Sequence, residues 1–357
     1  MQVIKDFFDK NNIKVPVIAV GVSGGADSLA LALLLCENLP SVKIVALTVD
    51  HGLRPSSFDE ALYTKKIMDM YNIEHHILTW EGEKPVTAIE EQARIARYSL
   101  LTDWCKKNNI LHLAIAHHLW DQAETFLMRI HRGSGVFGLS SMDAITIKDG
   151  INILRPLLDV HPDVLKDYLK NKGISWVEDE SNYCDDFLRV KMRKFLPILE
   201  KEIGISANRL CDTVKNLQKT KLFLDDVINN TIQNQTKCWK DVAYSFDYSI
   251  YSSWHDEVKF HVLGRIIKEL SGNLYTPEAD ALLSIIEYMS DNNFESTTLG
   301  GSIILKNELK VFIIKEYRDK NQNISNSTWN KFIKENPEFR GIKIPNKLKI
   351  ALVKEKK

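Results

Sequence analysis

The sequence is short of several things, and each shortage removes a class of protein. No uninterrupted apolar run approaches the length of a membrane span; Leu29–Leu35 is far too short. The N-terminus, with Lys5, Asp6, Asp9 and Lys10, has the composition of neither a secretory nor a mitochondrial leader. Cysteine is sparse: five residues, at positions 36, 105, 184, 211 and 238, with no Cys-x-x-Cys pair. That argues against a disulfide framework or a zinc knuckle and makes a reducing cytoplasm the expected setting. Net charge is +0, which at first argues against nucleic acid. The distribution is less even. Residues 178–186 hold five acids and no base, residues 189–240 carry eleven Lys/Arg against five Asp/Glu, and the tail from 321 carries nine against three. A face meets phosphates, not a total, so charge leaves RNA binding open. There is no internal repeat.

The chain has 357 residues, 44% of them hydrophobic, enough for about two domains with an ample core. Its organising stretch is residues 16–38. Val17 to Val22 is an apolar run of strand length, Ser23-Gly24-Gly25 breaks it, and Asp27-Ser28 opens a helix. Such a junction aims unpaired backbone N–H groups and the positive end of a helix dipole at one point. Two adjacent glycines let the backbone approach an anion closely. Asp27 and Ser28 also suit a plain helix start, so a well-capped turn is the alternative. A Walker A loop would need a lysine entering the helix, and none is here. A dinucleotide fingerprint would need glycine at 21, 23 and 26, where 23 is Ser and 26 is Ala. The remaining pattern, Ser23-Gly24-Gly25-Ala26-Asp27-Ser28, resembles the pyrophosphate loop of enzymes that split ATP into AMP and pyrophosphate.

Residues 44–49 form a second buried-strand run, ending at Asp50-His51-Gly52-Leu53-Arg54. In open α/β sheets that carboxyl edge is where ligands sit. A helix over 56–71, a strand over 75–80 and a long helix over 87–108 follow; the last has Glu90 and Glu91 early and Arg94, Arg97, Lys106 and Lys107 later, as the dipole favours. A fourth strand, 111–116, runs into His117, His118, Asp121, Glu124 and Thr125, and residues 119–131 read as a helix. On that helix Asp121, Glu124 and Thr125 share a face, with His118 at the same spacing before them. Beside a polyphosphate, such a cluster invites Mg²⁺; the alternative is capping plus a solvated face. Arg132-Gly133-Ser134-Gly135 is a loop suited to a mobile segment near a ligand. Ile151–Leu154 reads as an edge strand ended by Pro156, and Pro162 starts a short helix. Arg189 and Arg193, one turn apart, suit a phosphate or carboxylate clamp or a plain helix surface.

The alternation predicts a doubly wound, mostly parallel α/β sheet whose strand ends converge on the Ser-Gly-Gly loop. Beyond about 205 it stops. Residues 207–235, 258–271 and 277–289 are helical in period, and short strands over 295–314 make a smaller, mainly helical α+β piece. The expected division is 1–205 catalytic, 206–319 helical/α+β, and 320–357 linker and short basic tail.

Taken together, the motifs resemble the tRNA(Ile)-lysidine synthetase family of bacterial pyrophosphate-loop ATPases. The likeness runs from about 16 to 318 through Ser23–Ser28, residues 49–54, Ala93–Tyr98, His117–Thr125, Arg132–Gly135, Arg155–Leu158, Asp179–Asn182, Thr297–Gly301 and Lys315–Arg318. It departs at Val190, where the family's Arg-Asn-x-x-Arg has an amide, and in the short tail that stands where long members carry a further domain; both imply fewer polar contacts. The resemblance implies an adenine nucleotide α-hydrolase-like fold and ligation of free L-lysine to C2 of the wobble cytidine of tRNA(Ile) with a CAU anticodon. ATP is consumed to AMP and pyrophosphate, and the tRNA switches from methionine to isoleucine AUA decoding. By the same resemblance, Ser23, Gly24, Gly25, Ala26, Asp27, Ser28, His51 and Arg54 bind ATP, with Mg²⁺ at Asp27. Asp27, Asp121, Arg189 and Arg193 are catalytic; Arg94, Arg97, His118, Glu124 and Arg132 meet lysine or tRNA. A homodimer is compatible with the sequence and a membrane role is not expected. Alternatives are another pyrophosphate-loop tRNA-modifying ligase or thiolase, and a non-catalytic tRNA-binding protein on a decayed ATPase scaffold.

Overall fold

The computed structural model describes residues 2–53, 56–82, 84, 87, 89–178, 188–273, 275–291, 293–307, 309–317, 324–340 and 344–354. The chain divides into two compact units, 1–221 and 222–357.

The first unit opens with α1 (Val3–Lys10), then alternates β1 (Val17–Gly21), α2 (Ala26–Asn38), β2 (Lys43–Asp50), α3 (Ser57–Met70), β3 (Glu74–Thr79), α4 (Ile89–Lys107), β4 (His112–Ala114) and α5 (Leu119–His131). A short α6 (Val136–Leu139), a hairpin of β5 (Ile145–Lys148) and β6 (Ile151–Leu154), α7 (Pro162–Asn171), α8 (Leu188–Ile203) and the start of α9 (Ala207–Gln235) complete it. The sheet order is β3-β2-β1-β4-β6-β5; every pair is parallel except β5 with β6. Ile151–Leu154 is therefore not an edge strand. β5 caps it, turning through Asp149 and Gly150, both at positive φ. Winding proceeds from β1 out to β3, then returns to β4 on the other side of β1. That reversal opens a crevice at the carboxyl ends of β1 and β4, where open α/β sheets bind ligands.

α2 is apolar nearly all round, and Leu29 to Leu35 are wholly buried between the sheet, α1 and α7. A helix without a polar face survives only inside a core. The opposite face of the sheet packs Ala19, Val45, Leu47, Leu113 and Ile153 against Tyr98, Leu101 and Cys105 of α4.

One polar group is buried beneath the first turn of the organising loop. Thr48 Oγ1 donates to the Val22 carbonyl at 2.7 Å, so His75 Nε2, also 2.7 Å away, must donate to Thr48. His75 Nδ1 is left buried without a partner. Burial, with Lys65 nearby, pushes the His75 imidazole down to about 4. An unfolded histidine takes its proton near pH ~6.5. Stability is thus full above that pH and lost as pH falls toward about 4, by on the order of 3 kcal/mol. Urea unfolding at neutral and mildly acid pH checks this: His75→Gln should lose less stability on acidification than the wild type, and equal losses would refute it.

In the second unit, β7 (Lys237–Trp239), β8 (Ala243–Asp247), β9 (Ser296–Leu299), β10 (Ser302–Asn307) and β11 (Lys310–Lys315) form an antiparallel sheet ordered β7-β8-β11-β10-β9. Helices α10 (Tyr248–Ser253), α11 (Asp256–Ser271) and α12 (Ala279–Met289) join it. The C-terminal stretch, read above as linker and tail, carries α13 (Asn326–Glu335) and α14 (Asn346–Lys354), whose Phe332, Leu348 and Leu352 share a core with Trp239, Phe312 and Ile314. Among the described residues no helix is long and apolar enough to cross a membrane.

Candidate active site

At the end of β1 the chain turns through Gly24, at φ +87°, a conformation that suits glycine. A Cβ there would also lie 2.7 Å from Thr64 Oγ1. The Gly24 carbonyl accepts from Val177 N at 3.0 Å. Ser28 Oγ folds back to accept from Ser23 N and to donate to Gly25 O, each at 3.0 Å. Gly25 is the N-cap of α2 and supplies no side-chain cap. The N–H groups of Gly24, Gly25, Ala26 and Asp27 consequently meet no acceptor among the described residues. Asp27 does not cap the helix: its Oδ1 is buried with no hydrogen-bond partner, and its Oδ2 lies 3.5 Å from His118 Nε2. The loop is therefore an anion cradle rather than a closed turn.

Across the crevice, α5 starts with a reciprocal capping box. Asp121 N lies 3.4 Å from His118 Nδ1, and His118 N donates to Asp121 Oδ2 at 3.0 Å. His118 thus ties the starts of α2 and α5 together. Burial works to lower its pKa, but the carboxylates of Asp121, Asp27 and Glu124 outweigh that and raise it. For Asp121 burial works to raise the pKa, and His118, Arg189 and the His118 backbone N–H outweigh it, holding the carboxyl below its usual range.

Glu124 is wholly buried beneath both arginines of α8. Arg189 Nε donates to Oε2 at 2.9 Å, and Arg193 donates Nε to Oε1 at 2.6 Å and Nη2 to Oε2 at 3.4 Å. The same guanidinium groups stand 3.7 and 3.8 Å from Asp121 Oδ1. Neither the solvated-face reading of α5 nor the helix-surface reading of Arg189 and Arg193 survives this geometry. Val190, at the position of the missing amide, is buried.

The remaining expected residues fall into four groups. Arg94 and Arg97 flank the buried Tyr98 ring at 5.9 and 5.8 Å, and Arg97 lies within the electrostatic reach of Arg189. His51 sits in the turn after β2, its Nδ1 accepting from Leu53 N, while Asp50 Oδ1 accepts from Gly52 N and Ser57 Oγ. Arg132 is not brought to the cluster. It caps the far end of α5, about 20 Å from His118 along the helix axis. Arg54, Asp179–Asn182 and Arg318 lie outside the described residues. His117, Arg155 and Tyr98, which carry no assigned role above, crowd the same strand ends; the signal for the first two is the His-His pair and the Arg155-Pro156 step.

Two helix N-termini, a pair of anchored arginines and carboxylates at one crevice suit the handling of a nucleotide polyphosphate and a cationic partner. Comparison with known proteins narrows this. The PP-loop domain family matches residues 2–199. The tRNA(Ile)-lysidine synthase of Bradyrhizobium sp. is 40% identical over 300 residues, spanning 80% of this chain and 82% of its own. That of Ruegeria pomeroyi is 34% identical over 304 residues, spanning 84% and 71%. This chain belongs to the tRNA(Ile)-lysidine synthase family. A solved tRNA thiolase of Methanococcus maripaludis shares the fold, with a TM-score of 0.51 at 20% identity over 61% of this chain and 79% of its own. As a PP-loop member of the lysidine synthase family, the chain uses ATP. Divalent magnesium fits the first turn of α2: Asp27 Oδ1 is a hard oxygen donor, buried and unpartnered, beside an anion cradle.

Proposed function

We infer that this chain ligates lysine to C2 of the wobble cytidine of tRNA(Ile) carrying a CAU anticodon, producing lysidine, AMP and pyrophosphate. In the first step the cytidine C2 oxygen attacks the α-phosphorus of ATP, and the bond to pyrophosphate breaks. In the second the lysine ε-amine, having lost a proton, attacks C2; the C2–O bond breaks and AMP leaves. The observation that carries this reading is the unclaimed row of N–H groups at the start of α2, facing Asp121 and the Arg189–Arg193 pair across the β1/β4 crevice.

Each residue then has a defined task. The N–H groups from Gly24 to Asp27 hold the leaving pyrophosphate where its charge grows. Asp27 would hold Mg²⁺, which supplies charge neutralisation to the phosphates. Asp121 grips the ammonium of lysine, because a carboxylate beside a cation is the simplest selector. Arg189 and Arg193, held by Glu124, steady the negative phosphoryl group of the adenylate, and Arg94 and Arg97 extend that positive field toward the RNA backbone.

Transfer of radiolabelled lysine to tRNA(Ile) with a CAU anticodon, compared with tRNA(Met) sharing that anticodon, tests the assignment. The expected result is labelling of the first, with AMP released in equal amount, and not of the second. A decayed scaffold would bind the RNA and release neither AMP nor pyrophosphate; labelling both tRNAs equally would contradict the selectivity.

A further inference from the structure

Arg155 follows β6 directly, and its guanidinium is buried, yet no carboxylate pairs with it among the described residues. It donates to neutral groups instead: Nη1 to Asp143 O at 2.9 Å and to Thr146 Oγ1 at 3.0 Å, and Nε to His117 Nδ1 at 3.2 Å. That last bond has a consequence for chemistry. A nitrogen that accepts from an arginine cannot itself carry a hydrogen, so the neutral His117 ring must carry it on Nε2. His117 is half-buried, and its Nε2 meets no acceptor among the described residues. The charged groups facing the ring are Asp121 on α5, Arg189 on α8, Arg97 on α4 and Arg155 after β6. Three cations against one carboxylate make an anionic oxygen the favoured acceptor.

We propose that Arg155 locks His117 in the Nε2–H tautomer, making it a permanent hydrogen-bond donor to a phosphoryl oxygen of the substrates and not a proton acceptor. Burial, only partly offset by Asp121 and reinforced by the three arginines, pushes the imidazole down to about 3, in keeping with a ring that stays neutral while the reaction runs. Arg155 is in this scheme a positioning residue, while His117 touches substrate. The catalytic part rests on the lysidine reading above; the tautomer does not, and it is measurable in the free protein.

Nitrogen-15 spectra of histidine-labelled protein, with the His117 signal assigned by its loss in His117→Gln, report the tautomer. The expected result is a bare Nδ1, a protonated Nε2 and no titration between about pH 5 and 8. A protonated Nδ1, or a midpoint inside that window, overturns the proposal whether or not the protein makes lysidine. His117→Gln, whose amide can still donate, should keep lysine transfer within about tenfold, and His117→Phe should lose about 100-fold. Affinities of AMP and of tRNA for the Phe variant show whether the phosphoryl oxygen belongs to the nucleotide or to the RNA backbone; weakening of either supports the donor, and weakening of neither overturns it. Arg155→Leu, which removes the donor, should release the lock: burial still keeps the ring neutral, and the nitrogen-15 spectra should now show Nδ1 protonated in part of the population; Thr146→Val, which removes an Arg155 contact but not the one to His117, should keep the Nε2–H signature unchanged. A Thr146→Val spectrum with the same Nδ1–H signal, or an Arg155→Leu spectrum still purely Nε2–H, would sink the assignment to Arg155.

Discussion

Glu124→Gln is expected to weaken the first unit by about 3 kcal/mol and to reduce lysine transfer by about 100-fold or more. The carboxylate is wholly buried and takes three hydrogen bonds from two guanidinium groups. Breaking a buried ion pair on one side is more harmful than never having had it, because the surviving charges stay desolvated and unpaired. An amide of the same shape keeps one acceptor but turns its NH₂ toward an arginine. Arg189 and Arg193 are themselves only 39% and 32% exposed, so water relieves them in part. Their own route to relief is to swing onto Asp121, already 3.7 and 3.8 Å away. That swing would occupy the carboxylate assigned to the lysine ammonium, so activity falls further than the stability change alone requires. Glu124→Asp keeps the charge but withdraws it by one methylene and should lie between the two. Urea unfolding alongside the lysine-transfer assay checks the pair of effects; a Glu124→Gln protein as stable as the wild type would show that something else anchors the arginines.

The Glu124 contacts mark where sequence reading stops. The helix spacing of Asp121, Glu124 and Thr125 showed that they share a face, but not what covers it, since Arg189 and Arg193 lie 65 and 69 positions away. Periodicity reports a face; a partner across a tertiary contact leaves no periodic trace. The strand–glycine–helix step at Ser23–Ser28 was legible because its physics is local: an apolar run, two glycines and a helix start adjoin in the chain. β5 was not, since its Ile-Thr-Ile-Lys alternation is only four residues long and both its faces are partly exposed. The distance of Arg132 from the cluster was not legible either, because it follows from the 13-residue helix that intervenes between His118 and Arg132. The C-terminal helices were hidden by composition: a polar, basic stretch reads as solvated until Phe332 and Leu348 are seen against the second sheet.

Asp27→Ala is expected to show the opposite coupling: lysine transfer falls about 1000-fold or more while unfolding free energy changes by less than about 1 kcal/mol. Two favourable interactions are lost. One is the carboxylate at the positive end of α2, an effect of about 0.3–1 kcal/mol; the other is the 3.5 Å approach to His118. Against them stands relief of Oδ1, buried with no partner, whose desolvation costs about 1–3 kcal/mol. The two sides are of similar size, so the fold is indifferent to Asp27 while the chemistry is not. A side chain kept at no gain to stability is best understood as kept for what it binds, here the charge of the phosphates and their metal. The diagnostic is the contrast within one experiment. Glu124→Gln should lower the urea midpoint and the activity together, whereas Asp27→Ala should lower activity alone and should weaken the stabilisation of the protein by Mg²⁺–ATP. Near-normal lysidine formation by Asp27→Ala would remove this residue from the reaction. A large loss of stability would instead mean that Oδ1 has an interaction in solution that holds the loop together, and its unpartnered state would no longer be a reason to place the metal there.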